Sequence, residues 1–291
     1  MLDFFVRPFI DDQQLRLAFI ASVLVAITCA VAGTFVVLRG LAFIGDALSH
    51  GVLPGITTAM LLSISPIVGA AVGAAVIMGG VGLVSRRYKV SADTAIGLMF
   101  VAMLSLGVII TSRSTNLEED LDHILFGDSL AVHSTDLVWQ IIALLLVCLI
   151  GFIARRPFLM MSVDDGLAQT SGFSVSLFHN LLLAMIGLTV ISSFQTVGTL
   201  LVMGMLVAPA ASAVMFARRI SSMMLIASLI GIFASYLGLL ISHHFNLAAS
   251  ATIVLTTVLI FAICAVRFDL MKRRNLKIDE LPHQHEHNHA H

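Results

Sequence analysis

The sequence predicts an all-α, polytopic helical membrane protein with about eight to nine spans, and three observations carry that reading. Of its 291 residues 58% are hydrophobic and only 11% charged, with a mean hydropathy of +1.02, whereas soluble domains are about a quarter charged. The apolar residues gather in runs of about 18 to 22, the length that crosses a bilayer as a helix. Arginines stand at the ends of those runs, not inside them. The net charge of −1 decides little, because membrane topology depends on where Lys and Arg fall.

The first span is read as Leu17–Leu38, closed by Arg39, and the second as Leu41–Leu62, holding Asp46, His50 and Pro54. Ile67–Val84 ends at Arg86-Arg87-Tyr88-Lys89, and Thr94–Thr111 leads into a long polar loop, Ser112–Asp136. Leu137–Ala154 is followed by Arg155-Arg156-Pro157 and a less hydrophobic stretch, Phe158–Ser176. Leu177–Ser192, Val197–Ala217, Met223–Ser242 and Ala248–Val266 complete the set, and a tail begins at Arg267. The second and seventh segments contain Pro and Gly and could be broken or re-entrant, which would leave eight spans.

Placing the tail in the cytoplasm leaves only Arg7, Arg16 and Arg113 of the basic residues outside. That asymmetry favours this orientation, with the N-terminus outside. Met1–Arg16 lacks the basic start and short apolar core of a cleaved signal peptide. Small residues at Gly51 and Gly55, and along Gly69–Ala75, form faces that let helices approach closely in lipid. Cys29, Cys148 and Cys264 lie far apart inside apolar runs and read as small hydrophobes, as do the methionines.

Ionisable side chains within a span are costly and tend to mark an ion or substrate path. Asp46 and His50, spaced i, i+4 in Gly45-Asp-Ala-Leu-Ser-His50, share one helix face. They could be a structural pair, with Asp46 capping a break and His50 bonding a carbonyl. An oxygen and an imidazole at ligand spacing also suit Mn(II), Fe(II) or Zn(II). One chain offers only two such ligands, whereas a two-fold homodimer with this helix on its axis would offer four.

Three other segments carry chemistry. The external loop holds Glu118, Glu119, Asp120 and Asp122, with Leu117, Leu121, Ile124 and Leu125 at helical spacing, as a solvated loop, an acidic funnel or a docking face. Met161–Val175 reads as a short cytoplasmic helix with Asp164 or Asp165 as its start and Gly172 as its stop. The C-terminus carries His283, His285, His287, His289 and His291, a possible accessory metal-binding tract or a metal-sticky end. His243-His244 falls in a short external turn. The lysines Lys89, Lys272 and Lys277 follow no glycine, so no P-loop exists and any ATP-driven motor is another polypeptide.

Gly45-Asp-Ala-Leu-Ser-His-Gly-Val-Leu-Pro-Gly55, Leu121-Asp-His-Ile-Leu-Phe-Gly-Asp-Ser-Leu130 and Val197-Gly-Thr-Leu-Leu-Val-Met-Gly-Met-Leu-Val-Ala-Pro-Ala-Ala211 resemble the signature blocks of manganese-, zinc- and iron-importing ABC transporter permeases. The resemblance covers about Phe19 to Val266. It implies a type II importer permease fold and a homodimer in a bacterial cytoplasmic membrane, with no nucleic-acid partner. It implies a cytoplasmic ABC ATPase that binds the ATP, and an extracellular or periplasmic metal-binding protein. It implies no permanently bound cofactor and a transported Mn(II) or Zn(II), with Fe(II) a third candidate.

It further implies that Asp46 and His50 line the metal path between protomers, and that Asp165, Ala168 and Gly172 belong to the helix that couples to the ATPase. The expected division is an extracytoplasmic segment (1–16), a permease domain (17–266, with the coupling region at 158–176) and a cytoplasmic His-rich tail (267–291). The rival readings are a permease for a metal chelate and a proton-coupled secondary metal transporter. The first would need a wide vestibule and no ligand pair, the second no ATPase.

Overall fold

The computed structural model describes residues 8–9, 12–112 and 134–279. The external acidic loop and the five tail histidines lie outside the described residues. Among those described, every regular element is helical: α1 (Gln13–Leu38), α2 (Phe43–Gly51), α3 (Leu53–Leu61), α4 (Pro66–Tyr88), α5 (Ala92–Thr111), α6 (Ser134–Ile153), α7 (Arg155–Val163), α8 (Asp165–Thr170), α9 (Val175–Val214), α10 (Ile220–Phe245) and α11 (Ala249–Asp279). Eight stretches of these helices are long and apolar enough to cross a membrane.

α1 begins four residues earlier than the hydropathy suggests, because the Asp12 carboxylate accepts from the backbone N–H groups of Gln14 and Leu15 and caps the helix. It is the central element, in contact with α6, α9 and α10. Its interior face is built from small residues, among them Ala18, Ala21, Ala26, Cys29 and Ala32. The hydroxyls of Thr28 and Thr34 donate to the carbonyls of Leu24 and Ala30, four residues back. That pairing satisfies a polar group where no water is available. Phe35 meets Phe158 of α7 edge-on at 4.9 Å between ring centroids.

Two departures from the hydropathy pattern matter for function. The expected second span is not one helix but two nine-residue helices, α2 and α3, joined at Val52. Pro54 has no N–H to offer the carbonyl of His50, and proline at the first turn of α3 suits a helix start. The broken pair is nevertheless no shallow re-entrant piece. Asp46 shares a groove with Asp93 and Gly97 at one end of α5, whereas Pro54 lies against Gly107 near the other. At 1.5 Å per residue, that stretch of α5 measures about 21 Å.

The second departure is at Gly198. The expected sixth and seventh spans are separated by no loop: residues 193–196 are helical, and only Gly198 leaves helical geometry, at φ 79 and ψ 162. Side-chain neighbours fix the directions on either side. Gln140 donates to Ser193, and Phe158 packs near Phe178, so the first half of α9 runs antiparallel to α6 and α7. Phe35 meets both Gly151 and Phe158, and Val31 meets Gly151, so α6 and α7 run with α1. Cys29 lies on Val202 and Gly33 on Leu206, so the second half of α9 also runs with α1. The chain therefore reverses at one glycine. Pro209 in the second half interrupts nothing.

His243 and His244 are in the last turn of α10, not in a turn beyond it, and the His244 imidazole Nδ1 lies 2.8 Å from the Leu240 carbonyl. The αL residue Asn246 ends that helix instead. Beyond the apolar run, α11 continues as helix through Arg267 to Asp279, with an Arg273–Asp269 ion pair at 2.9 Å one turn apart.

Candidate functional site

α2 packs against α4, α5 and α9. Ile44, Gly45, Ala47, Leu48, Ser49 and Gly51 are buried by those neighbours. Gly45 lies close against α9, where an added Cβ would sit 2.9 Å from Leu206 Cδ2 and require that side chain to shift. The residues left over are Phe43, Asp46 and His50, spaced i, i+3, i+7. Phe43 is 68% exposed, and the Asp46 and His50 side chains are each about one-third exposed, at 32% and 33%. One stripe of α2 is therefore only partly covered by its own protomer, and that stripe carries the polar pair.

Asp46 Oδ1 lies 3.4 Å from His50 Nε2, too long for a strong charge-assisted hydrogen bond. Asp46 stands in the first turn of α2 and His50 in the last. The His50 ring meets Phe100 of α5 edge-on at 6.1 Å. Asp46 opens into a groove of about 480 Å³ whose lining includes Phe43, Asp93, Thr94 and Phe100. Among the described residues no basic side chain lines it. Asp93, at the start of α5, is a second carboxylate on this groove and lies just outside the expected span Thr94–Thr111.

No group of three or more His, Cys, Asp or Glu side chains converges among the described residues. One chain thus presents two ligands, an oxygen and a nitrogen, on a partly exposed face. That set is incomplete for a transition metal, which takes four or more donors.

The predicted cytoplasmic helix is α8, six residues long. The Asp164 carboxylate caps it by accepting from the N–H groups of Gly166 and Leu167. At the other end Phe173 N–H donates to the Ala168 carbonyl and Gly172 N–H to that of Gln169, with Gly172 at φ +83. This pair of bonds is a Schellman termination, which wants glycine at the left-handed position. Ala168 is fully buried, whereas Leu167 is 48% exposed. Asp165, Ala168 and Gly172 thus act as the first turn, buried anchor and stop of one short helix that offers Leu167 outward. Asp165 also receives Arg39 Nη2 at 3.0 Å. Arg39 had been legible only as a topology marker.

A family model describing the ABC 3 transport family matches residues 11–267. The chain belongs to the ABC 3 transport family. Relatives in the family include a manganese transport system membrane protein MntC of Halalkalibacterium halodurans, 36% identical over 263 residues that cover 90% of each chain. The manganese import system permease protein ScaB of Streptococcus gordonii is 36% identical, over 95% of this chain and 99% of its own. A probable iron transport system membrane protein of Haemophilus influenzae is 33% identical, over 90% of this chain and 96% of its own.

The solved structure of PsaBC from Streptococcus pneumoniae in complex with Fab matches at a TM-score of 0.79 and 34% identity, over 91% of this chain and 95% of that one. An inward-facing transporter assigned to the metal-chelate type of ABC transporter matches at a TM-score of 0.71 and 17% identity, over 90% and 88%. At that identity the likeness is one of fold.

Proposed function

We propose that this chain is the membrane-spanning permease of an ATP-driven importer of divalent transition-metal ions, with manganese as the favoured cargo. The observation that carries this reading is the partly exposed stripe of α2 on which Asp46 and His50 stand together. Relatives that cover nearly the whole chain and are described as manganese import permeases support the choice of metal. Membership of an ABC transport family argues against a proton-coupled secondary transporter. The ligand pair argues against a chelate as cargo.

The exposed stripe implies a second copy of the chain. Two α2 helices about a two-fold axis would bring two carboxylates and two imidazoles to one path. Such a site holds a Mn(II) ion with oxygen and nitrogen donors yet releases it when the helices separate. Weak or divisible sites are what conduction requires. ATP binds and is hydrolysed on a separate cytoplasmic ATPase that docks at α8, where Leu167 projects. A metal-binding protein delivers the ion on the opposite face. The assembly sits in a bacterial cytoplasmic membrane with its N-terminus outside, an orientation that gathers Arg39, Arg87, Arg155 and Arg219 on the inner side.

The test is metal content and competition in the purified complex with its ATPase, comparing wild type with Asp46→Ala and His50→Ala. Manganese bound by wild type, displaced by zinc or iron in a measurable order and absent from both variants, is the expected result. Equal manganese in all three would overturn the reading.

A further inference from the structure

The end of α1 and the start of α8 are far apart in sequence, yet one ion pair ties them. Arg39 is the last capping residue of α1. Its backbone is held by a Schellman motif in which Gly40 N–H donates to the Val37 carbonyl at 3.1 Å and Leu41 N–H to that of Val36 at 2.9 Å. Gly40 takes φ +67, the left-handed turn the motif needs. Leu41 is buried at 4% exposure, and the Ile44 N–H bonds back to the Leu41 carbonyl at 3.0 Å. The connection from Arg39 to α2 is therefore short and hydrogen-bonded, and Asp46 follows seven residues after Arg39.

The Arg39 side chain is 12% exposed, whereas Asp165 at the other end of the pair is 56% exposed. One arm of the guanidinium, Nη2, donates to Asp165 Oδ1 at 3.0 Å. The other arm, Nη1, is buried and has no hydrogen-bond partner among the described residues. A buried charged donor left half-satisfied is costly, and a small movement of the corner could bring it a second partner.

We propose that the Arg39–Asp165 pair is the mechanical link between the ATPase-facing helix α8 and the metal-bearing helix α2. Arg39 is a positioning residue. It touches no metal, but it fixes the α1–α2 corner to α8, so that a displacement of α8 turns the helix carrying Asp46 and His50. This inference rests on the reading of α8 as the ATPase contact given above. Allosteric coupling requires a two-state element that both sites bias. Here that element is the corner at Arg39–Leu41, with the free Nη1 as the group whose partner changes between states.

The experiment uses the reconstituted complex with its ATPase and reads manganese flux per ATP hydrolysed. Arg39→Gln, Asp165→Asn and the exchange Arg39→Asp with Asp165→Arg are compared, with Arg39→Lys as a variant that keeps the charge. Co-purification of the ATPase and a Leu167→Cys cross-link to it report the docking reading separately. The expected result is about tenfold less flux per ATP in both Arg39→Gln and Asp165→Asn, with co-purification and ATP hydrolysis intact in Arg39→Gln, within the usual range of coupling between sites. Arg39→Lys should retain most of the flux, and the exchange should restore it to within about threefold. Wild-type flux per ATP in both single variants overturns the link. So does an Asp165→Asn loss of ATPase binding that Arg39→Gln does not share, since Asp165 would then serve docking alone. Absence of the Leu167→Cys cross-link in wild-type background instead removes the docking reading on which the link depends.

Discussion

Asp46 Oδ1 and His50 Nε2 stand 3.4 Å apart on the one stripe of α2 that the protomer leaves partly exposed. Among the described residues no group of three His, Cys, Asp or Glu side chains converges there, so each side chain is a large share of whatever site forms. Asp46→Ala and His50→Ala should each lower manganese uptake by more than the ~10- to 100-fold seen when only an outer-shell partner of a metal site is lost. Because both side chains are partly exposed, detergent extraction and size-exclusion behaviour should match wild type. Radioactive or fluorescence-quench manganese uptake in proteoliposomes checks the first claim, and uptake at the wild-type rate by both variants would refute it.

The contact between α3 and α4 is set by glycine. A Cβ on Gly55 would collide with the Gly69 carbonyl, and one on Gly69 with the Gly55 carbonyl. Backbone approach of this kind drives helix association in lipid, where apolar side chains gain little from meeting one another. Gly55→Leu should destabilise the protein by about 1–3 kcal/mol, the usual cost of overpacking, and should shift α2 along with α3. The thermal midpoint in detergent reads the loss. Gly79→Ala serves as control, since its added Cβ meets nothing within 4 Å, and should leave the midpoint unchanged or slightly raised.

Hydropathy and arginine placement alone located nearly every crossing, because a lipid-facing helix must be apolar throughout and end near charge. The same logic misplaced the joints. Residues 193–196 looked like a connector for their Ser, Gln and Thr, yet Ser192 and Thr196 hydroxyls donate to the carbonyls of Thr189 and Ser193 and let the helix run on. The break at Val52 was legible in the Gly and Pro54 of the second segment, but not the fact that α3 still extends alongside α5. Asp46 and His50 were legible because a costly residue in an apolar run needs a reason. Arg39 was not, because an arginine at a span end already has a reason in topology, and its bond to Asp165 spans 126 residues. Asp93 was missed likewise, since acidic residues at helix starts are commonplace.

The coupling helix offers a test of local structure against function. Asp164 caps α8 and Gly172 closes it at φ +83. Asp164→Ala should cost about 0.5–2 kcal/mol of local helix stability, and Gly172→Ala about 1–2 kcal/mol for a left-handed alanine. Each variant should weaken co-purification of the ATPase, while manganese binding at Asp46 and His50, measured calorimetrically, stays at the wild-type level. Unchanged ATPase retention in both variants would mean that α8 is not where the ATPase docks.

Gly198 makes the sharpest demand in the fold. With φ 79 and ψ 162 it occupies a region open essentially to glycine alone, and it turns α9 back on itself without a loop. The turn is held from outside by Ser250, whose hydroxyl donates to the Val197 carbonyl at 3.0 Å. The second half of α9 then lies along α1 and supplies Leu206, which packs against Gly45 beside the metal pair. Gly198→Ala should therefore destabilise by about 1–3 kcal/mol and lower uptake although the substitution is remote from the ligands. Ser250→Ala should weaken the turn by the smaller amount of one lost hydrogen bond, about 0.5–1.5 kcal/mol. Thermal midpoints of both variants, set beside their uptake rates, check the order: Gly198→Ala worse than Ser250→Ala in stability and in transport. A fully stable and active Gly198→Ala protein would show that the reversal does not depend on the backbone freedom of glycine.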